Sequence, residues 1–204
     1  MPPREYQELG AIYAGEVPAP GEQVERLVRS ALTVNGFIAL PTEERAGILV
    51  VYSWGSINPD HERRDGGPDD RLLNQSELFD LVGGRPFPEK NRSIEGRAVI
   101  EAASIGRYFL IVSAYALSSH VSGTNVMLWR TQISMPSVGI SQEQAMPILA
   151  SAGAALLGRE TSSPLFIQVD VERALAERAS DETRRMALSP LDSLDGGNVE
   201  KKPR

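Results

Sequence analysis

Asp60, His61 and Glu62 stand side by side, with Asp65, Asp69 and Asp70 just beyond them, so imidazole and carboxylate donors for a divalent metal are gathered in one stretch. Their spacing matches no metal-binding motif, because adjacent residues point apart in most backbones and acid-rich loops are ordinarily just solvated. The expectation is therefore no metal and no cofactor, with Asp60, His61 and Glu62 as the alternative site. His120 lies beside Ser118 and Ser119, which would suit a base and a nucleophile. No Gly-x-Ser-x-Gly elbow supports that reading. Gly83-Gly84-Arg85 could cradle a phosphate only after a strand and before a helix; here the glycines close a helical pattern, so they read as a C-cap. Trp54, followed by Gly55, and Trp129, followed by Arg130, are the tryptophans of the chain. Large aromatics beside arginine favour interface anchors, so Trp54, Trp129 and Arg130 are the candidate partner-binding residues, against packing beneath a helix.

These residues need elements to hold them. Val24, Leu27, Val28, Ala31 and Leu32 recur at three- and four-residue spacing between Gly21 and Gly36, which predicts a helix stopped at Asn35-Gly36. Phe37 to Leu40 reads as a short strand ended by Pro41. Ile48 to Trp54 is β-branched and aromatic with hardly any polar alternation at its start, the mark of a central strand buried on both faces. Gly55 to Asp70 holds Asn58-Pro59, Gly66-Gly67-Pro68 and five acids, a composition that predicts a long surface loop. Helical patterns follow at Arg71 to Val82 and at Ser93 to Ala103. Arg107 to Leu117 and Thr124 to Met135 form two strand-like runs joined through Ser118 to Gly123, as in an antiparallel hairpin.

Ser141-Gln142-Glu143-Gln144 matches a capping box, so a helix starts there and runs to Gly158, with Pro147 removing one internal hydrogen bond. Leu165 to Val169 reads as an edge strand and Val171 to Met186 as a charged helix. Ser189 to Arg204, with Ser-Pro, Gly-Gly and Lys-Lys-Pro, predicts a disordered tail. The fold class implied is α+β: a single two-layer domain over 1–188, with a mostly antiparallel sheet and helices packed on one face.

Composition sets the outer limits. The chain has 204 residues with 41% hydrophobic, enough for a sizeable core. A net charge of −6 opposes a polyphosphate backbone, so nucleic acid is not an expected partner. No apolar run approaches the roughly 20 residues that span a bilayer. Cysteine is absent, which removes disulfides, thiolate nucleophiles and Cys-ligated metals without choosing a compartment.

A resemblance adds a context. The helix ending in Gly36-Phe37, leading through a polar turn to Ala46-Gly47-Ile48-Leu49-Val50-Val51-Tyr52, resembles the opening of a widespread family of uncharacterised bacterial lipoproteins. Leu128-Trp129-Arg130 followed by the helix Ser141 to Leu157 resembles its later part, so the likeness covers Val24 to Leu157. It implies a small α/β domain of the bacterial cell envelope or periplasm, as opposed to the cytoplasm, in a family without established catalytic residues. The chain departs from that family in a longer stretch from Gly55 to Gly106 and in having no signal peptide or acylatable cysteine.

With no motif of catalytic geometry and with Trp, Tyr and Arg on strands, the expected function is a non-enzymatic binding or assembly module with a protein partner. The rival is a metal-dependent hydrolase using the 55–70 loop, near the end of a strand where α/β proteins place sites. A third reading is a self-associating structural protein that pairs through a sheet edge.

Overall fold

The computed structural model describes residues 6–9, 18–40, 46–58, 75–83 and 94–188. The chain divides into two compact units, Met1–Ile167 and Gln168–Arg204. The first holds β1 (Tyr6–Leu9), α1 (Gly21–Val34), β2 (Ile48–Ile57), α2 (Gln75–Leu81), α3 (Ile94–Ala102), β3 (Arg107–Ala116), α4 (Leu117–Val121), β4 (Met127–Pro136) and α5 (Gln142–Ala154). The described residues of the second, 168–188, hold α6 (Val171–Leu188), whose start is capped by Asp170 Oδ1 accepting from Arg173 N at 3.0 Å.

The sheet runs in the order β1-β2-β3-β4. β1 is parallel to β2, while β2–β3 and β3–β4 are antiparallel, so the α+β class and the mostly antiparallel sheet are as the sequence implies. Side chains alternate between the faces of a strand, and this alternation separates two cores. Trp54, Tyr108, Leu110 and Val112 point to one face, where they meet Val24, Val28 and Ala31 of α1 and Ala145, Met146 and Leu149 of α5. Ile57 and Phe109 point to the other face, where they meet Leu78, Leu81 and Val82 of α2 and its following turn, with Val99, Ala102 and Ala103 of α3 and its end. The expected helical layer is therefore α1 with α5, and the structure adds a smaller layer of α2 and α3 at one end of the opposite face. β3, lying between β2 and β4, is buried along most of its length; β2 is half-buried until Trp54 and buried only from there to Ile57.

The two main helices end as their sequences require. Gly36, at φ +80°, lets its N–H reach Thr33 O while Phe37 N reaches Leu32 O, the paired bonds that close α1. At the start of α5 the Ser141 hydroxyl accepts from Gln144 N and the Gln144 side chain accepts from Ser141 N, a cap worth about 1 kcal/mol. Pro147 has no N–H to give to Glu143 O. That carbonyl instead accepts from Gln23 Nε2 of α1 at 3.5 Å. Ala19 N donates to the buried Gln142 Oε1 at 2.7 Å, and Asn35 Nδ2 donates to Ala31 O and Ala154 O. The N-terminal ends of α1 and α5 are thus tied to each other, as are their C-terminal ends, so the two helices run in the same direction.

Two expected strands do not form. Phe37 to Leu40 is irregular, with Ile38 83% exposed: Phe37 packs its ring against Trp129 of β4, and the backbone of the segment joins no ladder. Leu165 to Val169 joins no sheet, and every one of its residues is exposed. The expected loop at 55–70 begins later, since β2 continues to Ile57; residues 59–74 and the tail 189–204 lie outside the described residues.

Candidate interaction edge

β4 is the last strand of the sheet, so among the described residues one side of its backbone has no neighbouring strand. Which groups face that side follows from the ladder. Ser137 N donates to Gly106 O at 3.0 Å, one step beyond the Arg107–Pro136 pair, and in antiparallel pairing such bonded pairs recur at every second residue. Tyr108–Met135, Leu110–Ile133, Val112–Thr131 and Ala114–Trp129 are the bonded pairs. The backbone N–H and C=O groups of Arg130, Gln132 and Ser134 therefore point away from β3. Those of Arg130 and Gln132 have no partner among the described residues.

Both ends of this edge are modified. Leu128 is the extra residue of a bulge, because Ala114 pairs with Trp129 while Tyr115 pairs with Met127. Val126, Met127 and Leu128 are all about half exposed there. At the other end Pro136 offers no donor, and Arg107 Nη2 donates to Ser134 O at 3.2 Å while its Nε donates to Ser134 Oγ at 3.0 Å. Arg107 also points Nη1 at Ala102 O, in the last turn of α3, where the partial negative charge of a helix end suits a cation. Burial holds its guanidinium below the ordinary arginine value.

The candidate residues are distributed as follows. Trp54 is 3% exposed and belongs to the main core, so it packs under α1 and α5 and presents no surface to a partner. Trp129 is half-buried: its ring lies 5.8 Å from that of Phe37, and both rings lie beside Gly158. The bulge at Leu128 explains this inward facing, since one extra residue reverses every side chain beyond it. Arg130 is exposed on the opposite side of β4, with Nε donating to Ser113 Oγ at 3.0 Å. The structure thus puts Trp54 and Trp129 in the same core and sets Arg130 on the opposite face of the edge strand.

Asp60, His61 and Glu62 lie outside the described residues. Among the described residues no group of three or more His, Asp or Glu gathers to hold a metal ion. Ser119 donates its hydroxyl to Ala116 O at 2.7 Å and accepts from Val126 N at 2.9 Å, so it closes the β3–β4 connection and does not stand as a free nucleophile. Gly83 takes φ +81° at the end of α2, as its capping role requires. No helix of the described residues is long and apolar enough to cross a membrane. Gln132 carries no signal in the sequence: its side chain is ordinary, and the outward direction of its backbone groups follows only from β4 being the terminal strand.

Fold and edge together define an α+β domain with an open strand at one side of its sheet. No family model, curated protein or solved structure matches the chain.

Proposed function

We propose that the domain is a non-enzymatic binding or assembly module that takes up an extended chain along β4. The observation that supports this reading is the outward-facing N–H and C=O pair of Arg130 and of Gln132. Unpaired strand groups of this kind are a template for strand addition, in which main-chain bonds supply affinity and flanking side chains supply selectivity. Met127, Leu128 and Arg130 offer apolar and cationic contacts beside them.

Gln132→Pro tests the reading. Proline removes the outward N–H, leaves the flanking Leu110–Ile133 and Val112–Thr131 pairs intact, and is tolerated on a strand whose N–H faces solvent. The variant is expected to keep its fold and to bind extended heptapeptides, selected from a displayed library on the parent chain, about tenfold more weakly. Equal binding by a folded Gln132→Pro chain would move recognition away from β4. The envelope location implied by the family resemblance is part of this proposal. Fractionation and intact mass of the protein expressed from its own locus test it: a lipidated or signal-cleaved form supports the location, and an unprocessed cytoplasmic chain removes it.

A further inference from the structure

We infer that the extended chain taken up by β4 is Leu165–Val169 of a second copy, so that two copies donate this segment to each other. The inference rests on the reading of β4 as a binding edge and names its occupant.

Leu165-Phe166-Ile167-Gln168-Val169 is a strand sequence without a sheet. All five residues are exposed, Phe166 by 60%, and no residue from Thr161 to Val169 makes a backbone–backbone hydrogen bond among the described residues. One chain therefore carries an open edge and an unpaired strand, each lacking what the other has.

The side chains match as well. On β4, Trp129, Ile133 and Met135 face the main core, while Arg130, Gln132 and Ser134 face the other way. An added strand that places Leu165, Ile167 and Val169 on the core side extends the apolar layer past the edge. The same placement sets Phe166 and Gln168 on the side of Arg130 and Gln132, where an aromatic ring meets a guanidinium favourably. Charge agrees: β4 carries Arg130 and no acid, whereas the segment runs directly into Asp170 and Glu172.

Among the described residues no backbone bond joins this segment to β4 of its own copy, which leaves both open to a second copy. Pro164 occupies the space that Gly83 leaves by having no side chain, its Cβ only 3.2 Å from where a Gly83 Cβ would stand, so the start of the segment is seated at the end of α2. The boundary between the two compact units falls at Ile167, inside the segment. Copies of a chain can exchange an element, and exchange closed by two-fold symmetry uses the β4 edge of both copies at once.

The experiment is light scattering and sedimentation of the full chain over a wide concentration range, with two variants. The parent chain is expected at twice the chain mass. Ile167→Pro, which breaks the donated strand at an exposed residue without backbone bonds, and Gln132→Pro, which blocks the edge, are each expected to be monomeric with unchanged circular dichroism. Mixed together, they are expected to form a one-to-one heterodimer, because one supplies an intact strand and the other an intact edge. A dimer that survives Ile167→Pro overturns the inference, and so does a parent chain that stays monomeric, whether its 165–169 amides are protected from exchange by self-closure or exchange freely. If the monomeric parent still binds selected heptapeptides in a manner that Gln132→Pro weakens, only the occupant falls; if it binds none, the edge reading falls with it.

Discussion

Phe109→Ala is expected to lower the stability of the first unit by about 3–5 kcal/mol, measured as a shift in denaturant midpoint at unchanged slope. Phe109 is 0% exposed and stands at the middle of the smaller core, between Ile57 on β2 and the apolar faces of α2 and α3. Those helices are short, and few other large side chains hold them to the sheet, so the cavity left by the ring has little to collapse into it. Hydrogen exchange in the variant is expected to rise most at α3 and least at α1 and α5, which pack on the opposite face. A loss below about 1 kcal/mol would mean that the second face is not packed as described.

Gly153→Val is expected to cost about 3 kcal/mol, at the upper end for overpacking. Glycine inside a helix sacrifices roughly 0.5–1 kcal/mol relative to alanine, so its presence in α5 calls for a reason. The reason is Ile133: a Cβ on Gly153 would overlap Ile133 Cδ1 and lie 2.7 Å from Cγ1, because α5 crosses β4 so closely at this point that Ile133 would have to move to admit a side chain. Ile133→Val alone is expected to cost about 0.5–1.5 kcal/mol, yet in the Gly153→Val background it removes the methyl that clashes and restores part of the stability. Thermal or denaturant unfolding of the four chains checks this, and strictly additive losses would rule out the close crossing.

Those two sites show which parts of the fold can be read from residues alone. α1 and α5 are legible because each carries its own punctuation: Asn35-Gly36 at one, the Ser141–Gln144 box at the other, with apolar residues at helical spacing between. The β3–β4 pair is legible as two strand-like runs a short connection apart. Strands otherwise fail as a local category, since a strand exists only with a partner. Phe37–Leu40 and Leu165–Val169 have strand composition and no partner among the described residues, while Tyr6–Leu9 pairs with β2 and is given no strand signal by its short, half-polar sequence. The candidate site divides in the same way. Residue type alone does not say that Arg130 is exposed and Trp54 buried, because a core tryptophan and an exposed one look alike in sequence, and the outward-facing main chain of Gln132 leaves no mark on its residue type.

The bond from Ala19 N to Gln142 Oε1 spans 123 residues of sequence. Its acceptor does not exist until Gln142 has left the ribosome, and neither does the face of α5 that covers Val24, Val28 and Ala31. α1 is thus made well before the helix that covers it. Until then its apolar stripe has only unfinished sheet or a chaperone to lie against, and nascent chains are prone to stick to one another at such stripes.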